Sequence, residues 1–333
     1  MKRDAAVVFV HGLAKKPAPE KLEEIWMWAL SRDNPMPSVF APPNSGIHLD
    51  NRGIPKHFGY YADVFYGTDY ETELSSYYES ATDAGEAEIA AEVAGMEDLP
   101  GKMPSLTDEE QFFVTRLEAK FSAQLALSPV AVANPVSSFE GASEYEIASW
   151  LPAPVKQAIV RAAAMEAYYY LFDKEYVRQD GRRFKVREEL RTRLLDKLNA
   201  AREESDRVII VSHSMGTIVA YDVIRNCDNC PHVHTLLTLG SPLGVKEVQD
   251  ELRAPGSSKP DFPPSRLDRW INIYDPLDPI CGADPRFAND YAGAGGKGVE
   301  DIKESNWGRW RHSATHYLAG SRLREQLIAA MGQ

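Results

Sequence analysis

Four short runs along the chain are almost wholly apolar, at residues 6–10, 208–211, 235–239 and 270–274, and turn-forming residues follow each of them. A strand that meets water on one face alternates apolar and polar residues. A continuous apolar run is what a parallel sheet covered by helices on both faces requires. These four runs are therefore predicted as buried strands, with residues 60–66 as a weaker fifth candidate and residues 298–302 as a sixth. Between the runs the apolar period changes to that of a helix. Residues 19–31 gather Leu22, Ile25, Trp26 and Ala29 on one face, and residues 186–204 do the same with Leu190, Leu194, Leu195 and Leu198. A last helix is predicted over residues 321–331. Strand and helix alternate at both ends of the chain, which predicts an α/β fold with a mostly parallel central sheet and right-handed crossovers.

The middle of the chain breaks this rhythm. From about residue 68 to 181 there is no strand signal of comparable strength, only helical patterns at 70–94, 108–126 and 154–176. A stretch this long between two core strands is expected to be a helical insertion, a lid or cap, rather than a loop. The predicted organisation is a core formed by residues 1–67 and 182–333, interrupted by an insertion at 68–181. In the insertion Ala158, Ala162, Met165, Tyr169 and Phe172 recur at helical spacing, on a face that either packs against the sheet or lines an apolar acyl pocket. Residues 254–264, rich in Pro, Ser and Gly, predict a surface loop.

Composition narrows the choice of partners. With 333 residues, 44% of them hydrophobic, the chain can bury a sizeable core. Its 37 Lys and Arg against 49 Asp and Glu leave a net charge of −12, which repels phosphate backbones and anionic lipid surfaces. Nucleic acid is thus not an expected partner, and membrane contact is not indicated. Three cysteines (Cys227, Cys230 and Cys281) are too few for a disulfide scaffold, and the apolar run near the N-terminus is too short for a signal peptide or a span. The expectation is a cytoplasmic protein. No feature of the sequence sets an oligomeric state.

The most informative stretch is residues 208–221, Val-Ile-Ile-Val-Ser-His-Ser-Met-Gly-Thr-Ile-Val-Ala-Tyr, an apolar strand that turns tightly into a helix. It resembles the nucleophile elbow, G-x-S-x-G, of the α/β-hydrolase superfamily, with Ser212 standing where the motif has its first Gly. The turn is so sharp that the residues two before and two after the nucleophile must be small. The helix that follows aims its free N–H groups at the reacting oxygen. Ser214 is the expected nucleophile. The opening strand with His11-Gly12-Leu13 resembles the strand-His-Gly start of the oxyanion loop in lipases and esterases. That resemblance implies an oxyanion hole built from the Leu13 and Met215 amides, with His11 structural. Residues 239–244, Leu-Gly-Ser-Pro-Leu-Gly, end the next strand as in many lipases and are read as a turn without chemistry.

A serine hydroxyl needs an imidazole to accept its proton and a carboxylate to orient that imidazole. The family order of nucleophile, acid, base implies an acid after residues 270–274, and Asp278 is expected, with Asp275 as the alternative. The base is expected just ahead of the last helix. His316 is preferred because it adjoins Tyr317-Leu318, with His312 as the alternative. Cys227, Cys230, His232 and His234 have zinc-ligand side chains but match no standard spacing, and no metal is expected there. The resemblance therefore implies a serine hydrolase of the lipase or esterase kind. It would cleave a small-molecule or lipid acyl ester through a Ser-His-Asp triad and an acyl-enzyme intermediate, with no cofactor. An acyltransferase or thioesterase, or a non-catalytic binding module, are the alternatives, because a fold does not choose among its functions.

Overall fold

A computed structural model describes residues 2–12, 15–36, 43–68, 104–126, 153–254, 256–281, 284–291, 293, 296–307 and 311–332. Elements are numbered in chain order. Each of the four apolar runs is a strand: β1 (Ala6–Val10), β5 (Val208–His213), β6 (Val233–Leu239) and β7 (Leu267–Tyr274). With β2 (Lys56–Gly59) and β8 (Val299–Lys303) at the edges they make one six-stranded sheet, parallel throughout, in the order β2-β1-β5-β6-β7-β8. A small antiparallel hairpin, β3 (Glu175–Val177) with β4 (Arg183–Lys185), stands apart from it.

The pleat explains why the strand runs are unbroken. Val7, Phe9, Ile209, Val211, Leu237 and Ile271 face one helical layer, formed by α1 (Pro19–Ser31), α8 (Ala314–Ala319) and α9 (Ser321–Met331). Their immediate neighbours Ala6, Val8, Val10, Ile210, Leu236 and Trp270 face the other layer. That layer holds α2 (Ala62–Tyr66), α3 (Asp108–Ala126), α4 (Ala153–Leu171), α5 (Val186–Glu204), α6 (Met215–Asn226) and α7 (Lys246–Leu252). Burial on both faces removes the polar half of the alternation.

Two elements differ from expectation. Residues 60–66 are not a strand: the sheet takes the preceding Lys56–Gly59, and Ala62–Tyr66 turn into a short helix that buries Val64 and Phe65. An edge strand pairs on one side only and needs no continuous apolar run, so its signal was weaker than that of its apolar neighbour. The aromatic helix ends at Leu171 rather than running to 176, because Asp173 adopts φ 52° and the chain turns into β3. The helical pattern at 70–94 lies outside the described residues.

The described part of the 68–181 segment packs into the core. Tyr168, Tyr169 and Tyr170 are all buried in α4, and the rings of Tyr168 and Tyr169 meet each other and those of Phe65, Phe172 and Tyr176. Met165 and Ala162 of the predicted face are buried with them, whereas the side chain of Ala158 lies outside the description. This aromatic cluster fills space between helices and sheet. Its polar tips find partners. The Tyr170 hydroxyl donates to Asp222 Oδ2 at 2.6 Å, and Arg191 binds the same carboxylate through two nitrogens at 2.7 and 2.8 Å. α3 is held by buried Glu247 of α7, which pairs with Arg116 at 2.9 Å and Lys120 at 2.6 Å. Among the described residues no helix is long and apolar enough to cross a membrane.

The Asp222 carboxylate thus ties α4, α5 and α6 into one layer, and removing one partner of a buried ion pair strands the others. Asp222→Ala is expected to cost about 3 kcal/mol in urea-induced unfolding, and Tyr170→Phe about 1 kcal/mol. A loss below about 0.5 kcal/mol for Asp222→Ala would show that the network does not carry the layer.

Candidate active site

The parallel sheet aligns the carboxyl ends of its strands on one side, where open α/β sheets place their ligand sites. β5 ends at His213, and the chain reverses through Ser214 into α6, which starts at Met215. Ser214 adopts φ 55° and ψ −129°, a conformation that L residues occupy only when their surroundings impose it. The surroundings are specific. The Ser214 N–H donates to the Leu239 carbonyl at 3.0 Å, and the Ser214 carbonyl accepts from the Thr217 amide at 3.0 Å and the Thr217 hydroxyl at 2.7 Å. At the rear small position a side chain on Gly216 would have its Cβ 2.3 Å from the His11 carbonyl oxygen, so only glycine fits. At the forward one, Ser212 is accommodated and its hydroxyl donates to the Leu237 carbonyl.

Three side chains meet beyond the strand ends. Ser214 Oγ lies 2.8 Å from His312 Nε2, and His312 Nδ1 lies 2.8 and 2.9 Å from the two oxygens of Asp278. All three are buried. Burial alone would raise the Asp278 carboxyl. The His312 charge, the hydrogen bond from His312, the Ile280 N–H and the Tyr317 hydroxyl more than reverse this and hold it below the usual range. An ionised carboxylate only accepts, so the proton sits on His312 Nδ1, and Nε2 is left to accept from the Ser214 hydroxyl. Gly240, at φ 52° after β6, gives the group its clearance: a Cβ there would stand 2.7 Å from Asp278 Oδ2 and 3.2 Å from His312 Nδ1. The turn at 239–244, read from the sequence as without chemistry, therefore shapes the site.

Of the two candidate histidines, the structure brings His312 to Ser214 and leaves His316 elsewhere. His312 lies two residues ahead of α8, with its imidazole against Ser214. His316 lies inside α8 and stacks on Trp307, with ring centroids 4.2 Å apart. Of the two candidate acids, Asp278 meets the imidazole. Asp275 serves the loop that carries His312: its carboxylate accepts from the Asn306 N–H at 2.8 Å and faces Arg311 Nη1 at 3.4 Å. Arg311 also binds the Asn306 carbonyl, and the Asn306 side chain returns a bond to the Arg311 carbonyl at 2.7 Å. Burial raises the Asp275 carboxyl, against the pull of Arg311. Sequence reading missed this strap and Tyr317 behind it, because nothing in spacing marks a residue that supports another.

Met215 opens α6, so its amide belongs to the first turn, where no intrahelical acceptor is available. Leu13, expected as its partner, lies outside the described residues. The preceding carbonyl, that of Gly12, accepts from His11 Nδ1 at 2.7 Å, while His11 Nε2 accepts from the Tyr61 N–H at 2.9 Å. Burial, then the charge of Lys16, bring His11 down to about 3. His213, in ring contact with His312 at 4.6 Å, is likewise held far below its ordinary value by burial and by His312. Cys227 and Cys230 are buried free thiols, Cys230 pushed up to about 12 by burial. Among the described residues no group of three or more His, Cys, Asp or Glu is arranged to hold a metal.

Because His11 is neutral when folded and protonates near 6.5 when unfolded, its contribution is intact above that pH and is lost as the pH falls toward 3. The folded state should lose about 2 kcal/mol from His11 alone between pH 7 and pH 5, with His213 adding in the same direction. Urea titrations at the two pH values check this. A His11→Asn variant, which cannot titrate, should lose less between them than the wild type.

Comparison with known proteins agrees with this fold. Residues 147–253 match the family model described as PGAP1-like alpha/beta domain, a stretch that runs from just before α4 to the end of α7 and includes Ser214 but neither Asp278 nor His312. No curated protein and no solved structure matches the chain. The parallel six-stranded sheet with a strained serine between β5 and α6 is the α/β-hydrolase fold, and residues 147–253 of the chain are similar to the PGAP1-like alpha/beta domain.

Proposed function

We propose that the protein is a serine hydrolase that cleaves carboxylic esters of small-molecule or lipid acyl groups. The observation that carries this reading is the continuous hydrogen-bond path from Ser214 Oγ through both nitrogens of His312 to Asp278. Ser214 Oγ attacks the acyl carbon as His312 Nε2 takes its proton, and Asp278 stabilises the imidazolium that results. The Met215 amide, with Leu13 as the expected second donor, holds the oxyanion. The intermediate collapses when His312 returns the proton to the leaving alkoxide. Water, deprotonated by His312, then releases the acid from the acyl-enzyme. Full burial of Ser214 favours one second reading, transfer of the acyl group to an alcohol in place of water. Alcohol added to the assay separates the two by product ratio, because a transferase forms mainly the new ester at alcohol concentrations far below that of water, whereas a hydrolase forms mainly the acid.

Intact-mass labelling with a fluorophosphonate tests the proposal. The wild type is expected to gain one adduct, Ser214→Ala none, His312→Ala little, and His316→Ala as much as the wild type. In ester hydrolysis Asp278→Asn should lower kcat by about 10⁴-fold with little change in KM. A folded wild type that takes no label and cleaves no acyl ester of any chain length would overturn the reading.

A further inference from the structure

Behind the Asp278 carboxylate stands a side chain to which neither the sequence motifs nor the reaction above gives a role. Tyr317 is fully buried on α8, and its hydroxyl donates to Asp278 Oδ2 at 2.9 Å while accepting from the Asp275 N–H at 3.0 Å. The direction is fixed by supply. The Asp275 amide uses the phenol oxygen as acceptor, so the single hydroxyl hydrogen goes to Asp278. Oδ2 is thereby shared between His312 Nδ1 and Tyr317, while Oδ1 accepts from the Ile280 and Cys281 amides at 2.8 and 3.2 Å. Burial, then the Asp278 charge, keep the phenol protonated far above its ordinary range.

We infer that Tyr317 is a positioning residue of the site: its hydroxyl fixes the orientation of the Asp278 carboxylate and sets how much negative charge that carboxylate offers His312. The inference rests on the triad reading above. A donor on a carboxylate withdraws charge from it, so a carboxylate relieved of that donor pulls harder on the imidazolium. Other titratable groups lie around His312 among the described residues. His213 stacks on its ring, Arg311 precedes it and pairs with Asp275, and the buried Cys281 thiol lies 3.9 Å from the Tyr317 hydroxyl.

The experiment compares the wild type with Tyr317→Phe and with 3-fluorotyrosine at position 317, which keeps both hydrogen bonds but donates more strongly. On a p-nitrophenyl ester, the Phe variant is expected to lose about tenfold in kcat at unchanged KM. The acid limb of its kcat/KM profile should move up by about half a pH unit, and the fluorotyrosine protein's should move down. Identical profiles in all three proteins would overturn the inference, whatever happens to stability. Should the Phe variant fail to fold, the fluorotyrosine shift decides alone. The low-field imidazole proton resonance of His312, read without any substrate, keeps this question apart from the reaction. It should shift in both altered proteins even if the wild type cleaves no ester, and an unmoved resonance would overturn the role of Tyr317.

Discussion

Everything at the strand ends depends on the backbone of Ser214 being held in a conformation it would not adopt alone. A positive φ on a non-glycine residue costs of order 1–3 kcal/mol, and the cost is met by hydrogen bonds to both sides of the residue and by close packing around it. The Leu239 carbonyl holds its amide, and Thr217 holds its carbonyl and is in turn bonded to Ser241 at 2.7 Å. The helix that follows packs so near β1 that position 216 has no room for a side chain. β5 lies between β1 and β6, so the turn is gripped from both neighbouring strands. This is why a central strand, not an edge, carries it.

The second constraint is electrostatic. Asp278, Asp275, His312, Arg311, His213 and Tyr317 crowd into one buried volume, where an unpaired charge would be costly. The arrangement separates the two carboxylates by task. One is surrounded by donors and stays ionised against the imidazole. The other is raised by burial and anchors the strap that carries that imidazole. His213, held neutral by burial, adds no positive charge next to His312 at neutral pH.

Much of this was legible in the chain. The four central strands, α1 and α5 followed from apolar spacing, because each is decided by burial, and burial is what hydrophobic patterning encodes. Ser214 was legible because its turn demands small residues at fixed offsets. The choice between His312 and His316 was not. Four residues apart, they straddle the start of a six-residue helix, and which one turns toward the sheet depends on where α8 begins. Tyr317 and the Asn306–Arg311 strap were silent for a related reason: they contact other site residues, and such contacts leave no periodic trace. The edge strands were hard to read because their exposed backbone pairs on one side only. β2 is half polar, and β8 mixes Val299 and Ile302 with Glu300, Asp301 and Lys303.

That polarity at the edges has a consequence for how copies of the chain behave at high concentration. Among the described residues the six-stranded parallel sheet ends in two edge strands whose outer rows of backbone groups pair with no further strand, each row a template for another strand. Here Lys56 and His57 on β2, engaged with Asp50 and Glu204, and Glu300, Asp301 and Lys303 on β8 set charge along both rows. A second sheet approaching either edge would have to bury those charges or bring like against like. The side chains that hide the edge strands from hydrophobic pattern are thus the ones that oppose extension of the sheet from molecule to molecule.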